Sequence, residues 1–278
     1  MINYNELFND LNSSAIKSLG DKLSKINCHT EKDIVANIDT ELDLINKSIS
    51  KWELNNNKHL NNLSPKEYFC AISDDDEILQ IFKSYTSYCD LEIPNCILLL
   101  IEKSDYVKSK LLEYALSIKS TPENEIIGIE ALRILGKIKY NESIVPLIEF
   151  SQILTEKEDP ILDIISETFM EIGVESIEPL LSILETRSEF NLCHEYMLRA
   201  LAKIGSTNKS ERIYRLLKNT FKNTNNKVFA VLLLSDYGDG RAITALKGYA
   251  TKNASTISKN LLYEIKYVVE KLGGKFNI

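Results

Sequence analysis

Apolar residues in the second half of the chain recur at helical spacing. Ala230, Val231, Leu234 and Tyr237 form one stripe of i, i+1, i+4, i+7, and Ile243, Leu246 and Tyr249 form a second. Gly238-Asp239-Gly240 separates them, so YGDGRAITALKGYA reads as helix, turn, helix. Gly238 falls where a helix C-terminus turns with φ > 0, which glycine does at no steric cost. Asp239 follows as a turn or N-cap residue that accepts from the free amides of the next helix. A phosphate loop would end in Gly-Lys-Ser/Thr, and a calcium loop would carry carboxylates at alternating positions; the stretch has neither.

The unit recurs. Aligned on the end of the apolar helix, segments 130–150, 166–184, 197–221, 230–250 and 267–278 match. Their anchors, Ile138, Ile172, Ile204, Tyr237 and Leu272, are spaced 34, 32, 33 and 35 apart. Glycine follows the anchor in the last four (Gly173, Gly205, Gly238 and Gly273), whereas the first has Lys139 and the third carries extra residues, STNKSE. Pro146 and Pro179 fall in the first turn of a second helix, where a missing N–H does little harm. A near-constant period of this length marks helical pairs that cover one another's apolar faces.

The pattern A-L-x-x-L-G-x-I-G-D-x-x-A-I/V-P-x-L-I resembles the HEAT-like repeats of phycobilisome lyases and many bacterial scaffold proteins. The resemblance covers residues 124–278, with degenerate units back to about residue 94. It implies an all-α chain, a right-handed α-solenoid of helical pairs whose second helices line a concave side. On function it is nearly silent.

The N-terminal rhythm differs. Ile16, Leu19, Leu23 and Ile26 make one seam, and Val35, Ile38, Leu42, Ile45, Ile49 and Trp52 make another, with Thr30 and Asp33 at its start. The spacing predicts an antiparallel helical hairpin over 1–54, which either packs on the rest of the chain or dimerises. NNNKHLNN within 55–63 reads as a mobile polar linker, 64–123 as degenerate helical repeats, and 124–278 as the repeat solenoid. Ser64-Pro65-Lys66-Glu67 is a capping box, and Ser73–Glu77 reads as helix-start carboxylates rather than a metal site.

Composition sharpens this picture. Ten glycines and six prolines in 278 residues are few for a sheet protein. The polar, acidic start MINYNELFND lacks the pattern of a leader, and the longest apolar run, Cys96–Ile101, is too short to cross a bilayer. Five cysteines without Cys-x-x-Cys predict reduced, mostly buried thiols and a cytoplasmic location. The Asn/Lys/Ile-rich composition is of the kind found in bacteria of low genomic GC content.

Charge is polarised along the chain. Residues 199–278 hold 15 Lys+Arg against 5 Asp+Glu, although the whole chain carries −7. In KSERIYRLLKNTFK, Ile213, Leu216, Leu217 and Phe221 share one helix face. Arg212, Arg215, Lys218 and Lys222 occupy the opposite one within about 120°, and Lys247 extends the stripe onto the next unit. Such a stripe meets phosphates, an acidic protein or plain solvent. Glu149 and Glu185 on earlier second helices change the sign along the same face, which favours a protein partner over a nucleic acid.

Chemistry finds less support. Deoxyhypusine hydroxylases, which resemble this fold, hold two irons through His-Glu pairs on successive repeats. Here His194-Glu195 is the one such pair, and His29, His59 and His194 are the only histidines. The dipeptides Cys28-His29 and Cys193-His194 do not converge as ligands, because adjacent helix residues point about 100° apart. HEAT-like DNA glycosylases keep aromatic residues at the lesion, yet Trp52 lies in the hairpin. The expectation is a non-enzymatic protein-binding scaffold without metal or cofactor, with nucleic-acid binding by the basic repeats as the alternative.

Overall fold

The computed structural model describes residues 2–23, 31–119, 121–187 and 189–276, and of 21–23, 31–42 and Glu123 the backbone alone. Among the described residues every regular element is an α-helix or a 3-10 turn. None of the described helices is long and apolar enough to cross a membrane. The chain divides into two compact units, Met1–Ile134 and Leu135–Ile278.

The first unit holds α1 (Tyr4–Leu23), α2 (Glu31–Leu54), α3 (Pro65–Cys70), α4 (Asp75–Tyr88), α5 (Asn95–Glu102) and α6 (Asp105–Leu116). Helix α1 packs on both α2 and α4. Its buried residues are Tyr4, Leu7, Phe8, Leu11 and Ala15, whereas Ile16, expected in the seam, is 56% exposed. The reason is aromatic area: Phe8 sits 6.3 Å from Trp52, 6.5 Å from Phe69 and 5.2 Å from Tyr85 between ring centroids. Burying those rings outweighs burying one isoleucine. The side chains of Leu23, Ile26, Thr30, Asp33, Val35, Ile38 and Leu42, and of the Cys28-His29 pair, lie outside the described residues.

The polar stretch after α2 is a folded turn rather than a mobile linker. Leu60 is fully buried, the Asn57 N–H donates to the Leu63 carbonyl at 2.9 Å, and His59 bonds the Asp10 carboxylate at 2.9 Å. The expected capping box forms at α3, with Ser64 and Glu67 bonded reciprocally. Asp74 likewise caps α4 by accepting the Glu77 N–H at 2.9 Å. Helix α5 has Pro94 at its N-cap and no side-chain cap of its own. Glu53 of α2 fills that role, accepting the Cys96 N–H at 2.7 Å. Among the described cysteines, Cys89, Cys96 and Cys193 are buried, Cys70 is exposed, and all four are free thiols.

The boundary between units falls within α7 (Pro122–Lys137). The second unit continues with α8 (Ile144–Ser151), α9 (Asp159–Ile172), α10 (Ile177–Leu184) and α11 (Leu192–Thr207). It ends with α12 (Glu211–Asn223), α13 (Lys227–Tyr237), α14 (Ala242–Lys252) and α15 (Lys259–Lys271). Helices α9, α11, α13 and α15 pack one on the next, and α10, α12 and α14 each pack on the long helix that follows. Polar pairs span the same contacts: Asp163 with Arg199, Lys203 with Asp236 at 2.9 Å, and the Lys271 ammonium with the Ser235 hydroxyl at 2.9 Å.

The turns explain the periodic glycines, with one exception. Gly173, Gly238 and Gly273 end their helices at φ of +90°, +70° and +86°. Lys139, at the equivalent place in the first unit of the repeat, adopts φ +53° despite its side chain. Gly205 is different: it lies inside α11, which runs on to Thr207. Its glycine is required by space, since a Cβ there would stand 2.9 Å from the Tyr237 ring and 3.1 Å from Ile213. Along α14 the buried residues are Ala242, Leu246 and Ala250, with Ile243 and Tyr249 half-buried at the margins.

This contrast yields a matched pair of substitutions. Gly205→Ala overpacks against Tyr237 and lowers stability by about 1–3 kcal/mol, even though alanine favours helix. Gly248→Ala, where a Cβ meets nothing within 4 Å, raises it by about 0.5–1 kcal/mol. Urea midpoints of the two variants move in opposite directions from the parent.

Candidate functional site

Helix α12 carries most of the expected binding residues, and Tyr237 fixes where it begins. The Tyr237 hydroxyl accepts the Ser210 N–H and donates to the Ser210 carbonyl, both at 2.9 Å, from a fully buried ring. Lys209, next to Ser210, lies 4.1 Å above that ring and also donates to the Tyr237 carbonyl at the end of α13. Of STNKSE, Ser206 and Thr207 extend α11 and Glu211 opens α12, and the short loop between them is pinned through Lys209 and Ser210 to the end of α13. The Ser210 hydroxyl then accepts the Arg212 N–H at 3.2 Å to start α12. Ile213, Tyr214, Leu216, Leu217, Thr220 and Phe221 turn inward, leaving the basic face outward as the spacing predicts.

The two arginines of that face are paired within the chain. Arg212 donates to Glu178 of α10 at 2.9 and 3.0 Å and to Glu185, the residue just past the C-terminus of α10, at 2.8 and 3.2 Å. These bonds hold the Glu185 carboxyl below its ordinary pKa and raise the Arg212 guanidinium above its own. Arg215 donates to Glu211 at 3.1 Å. Arg241, just before α14, grips Asp239 at 2.7–3.1 Å and Glu211 at 2.6 Å. Its guanidinium also stacks 4.0 Å above Tyr214. Asp239 is thus the expected turn residue, accepting the Arg241 N–H at 2.9 Å as well.

Glu185 and Arg212, expected as opposite ends of a charge gradient, are direct partners. Lys218 and Lys222 have no carboxylate within 4 Å among the described residues. They line a groove of about 440 Å³ between α12 and α14 with Phe221, Arg241, Ala245 and Tyr249. Lys247 does not join them. At 100° per residue it lies on the opposite flank of α14 from Ala245 and Tyr249. Glu149 stands exposed on α8 with no partner among the described residues.

A second, larger cavity of about 690 Å³ opens on the other side of α12. Asn219 and Asn223 of α12, Asn226 before α13, and Glu195 of α11 face it, together with Phe190 and Leu216. Burial pushes the Glu195 carboxyl above its ordinary pKa, opposed by a hydrogen bond from Asn226. Sequence reasoning missed Glu178, Glu211, Arg241 and this asparagine row. Only Glu211, four residues before Arg215, left a local signal.

His194 beside Glu195 is structural. Its Nδ1 accepts the Asn191 N–H at 3.2 Å, closing a capping box on α11. Its Nε2 is buried without a partner, and the Phe190 ring packs at 6.1 Å. Burial first, and the nearby Arg187 charge second, lower its pKa below the ordinary 6.5. Among the described residues no three His, Cys, Asp or Glu side chains cluster as metal ligands do. Compared with protein-family models, curated proteins and solved structures, the chain matches none.

Two outcomes follow from these geometries. As pH falls through about 6.5 the unfolded chain takes up the His194 proton first, so stability is full above that pH and declines below it. Denaturation midpoints measured between pH 7 and 5 fall for the parent and fall less steeply for His194→Gln. In Arg212→Gln, carboxyl NMR titration finds Glu185 moved up toward 4.5, its ordinary value.

Proposed function

We propose that the second unit is a right-handed, HEAT-like α-solenoid segment that binds another protein, without catalysis, through the outer face of α8, α10, α12 and α14. Helix ends with positive φ at 139, 173, 238 and 273, and long helices that each pack on the next, support the repeat reading. The observation that carries the binding reading is the mixed sign of the face. Glu149 and the Glu178–Arg212–Glu185 cluster lie toward one end, and unpaired Lys218 and Lys222 lie toward the other beside aromatic rings.

A phosphate backbone is followed by rows of unpaired cations, each releasing counterions. Here Arg212, Arg215 and Arg241 are already held by carboxylates, leaving a patch suited to acidic side chains of a protein. The partner's own acids and bases then set its register along the face.

Fluorescence anisotropy with labelled polyglutamate, duplex DNA and single-stranded RNA tests this, at about 50 and about 200 mM salt. Polyglutamate is expected to bind more tightly than either nucleic acid, to lose binding in Lys218→Glu/Lys222→Glu, and to keep it in Lys247→Glu. Nucleic acid bound more tightly than polyglutamate, with steep salt dependence and loss in the same double variant, overturns the proposal in favour of nucleic-acid binding.

A further inference from the structure

The outer surface of α12 carries two parallel rows. Lys218 and Lys222 line the groove toward α14, and Asn219 and Asn223 line the cavity toward α10. Within each row the residues are four apart, a rise of about 6 Å along a helix. Alternate residues of an extended peptide repeat at about 6.6 Å, nearly the same distance. Neither asparagine side chain has a partner among the described residues. Each carboxamide offers one acceptor and two donors, the complement of a peptide unit's N–H and C=O.

We infer that α12 holds an extended segment of the partner protein in which acidic residues alternate with small apolar ones. The inference rests on the protein-binding reading above and names the chemistry of its ligand. The segment lies along α12 with one backbone edge on Asn219 and Asn223. Successive side chains of an extended chain point to opposite sides. One set therefore reaches Lys218 and Lys222, where carboxylates find unpaired ammonium groups. The other set enters the cavity toward α10, against Phe190 and Leu216. That side carries Glu185, Glu189 and Glu195 against Arg187, Arg212 and Arg215, so no net charge draws an acid into it, and a carboxylate seated against Leu184, Phe190 and Leu216 loses hydration that an apolar side chain does not. The two sides of the helix thus demand different side chains at alternate positions, which a disordered polyanion does not satisfy as well.

The test uses the full chain and three labelled synthetic peptides in anisotropy titrations. One alternates Asp and Val; one has the same composition in two blocks; the third is the alternating peptide N-methylated at every second backbone nitrogen. The alternating peptide is expected to bind about tenfold more tightly than its block isomer. Asn219→Ala/Asn223→Ala weakens it about tenfold, the loss of two backbone contacts. N-methylation weakens it similarly in the methyl register that faces α12, and that peptide is indifferent to the asparagine variant. Both asparagines are exposed, so unchanged circular dichroism and melting accompany the loss.

Equal binding of the alternating and block peptides, or parental affinity in the asparagine variant, overturns the extended register. If the Lys218→Glu/Lys222→Glu variant still loses polyglutamate in that case, the protein-binding reading stands without it. Failure of every peptide and of polyglutamate overturns both.

Discussion

The place of α12, and with it everything the outer face of the second unit presents, depends on one buried phenol. Tyr237 satisfies both backbone groups of Ser210 and supports Lys209 over its ring, so the loop after α11 is fastened to the end of α13. A fully buried hydroxyl requires such partners, since leaving it unpaired is costly. The ring in turn needs the room that Gly205 leaves on α11. Ring, glycine and loop form one joint between α11 and α13, and α12 starts at its edge.

Set on that joint, the outer face becomes a surface on which Arg212, Arg215 and Arg241 are already held by carboxylates. Arg212 is shared by Glu178 of α10 and Glu185 at its end, and Glu211 by two arginines. Exposed pairs of this kind contribute little to folding. Their effect is to leave Lys218 and Lys222 as distinct positions between a groove and a cavity instead of as members of a broad basic field.

Much of this was legible in the residues, and the remainder failed for identifiable reasons. The periodic anchors marked helix ends because φ > 0 selects glycine, and Lys139 takes the same conformation where glycine is missing. Gly205 fell in the same register for another cause, close packing, and one sequence does not separate a glycine needed for its backbone from one needed for its size. The N-terminal helices were visible from their spacing, but the buried edge of α1 was set by Phe8 meeting Trp52, Phe69 and Tyr85 across the unit. The basic stripe was visible; its pairing with Glu178, 34 residues away, was not, because that depends on how α10 and α12 come together.

The bridge between Lys203 and Asp236 has a consequence for assembly of the unit. Each residue stands immediately before its anchor, and along the chain that position reads Lys137, Glu171, Lys203, Asp236, Lys271. The sign alternates at every step. Lys203 and Asp236 meet as opposite charges between α11 and α13, whereas a helix that skipped its neighbour would bring like charges to this position: Glu171 against Asp236, or Lys203 against Lys271. Arrays of similar units are prone to such skipped pairings while they fold. An alternating code at one position penalises them without altering the apolar stripe that all the units share, so the order of the helices is written in charge and their cohesion in hydrocarbon.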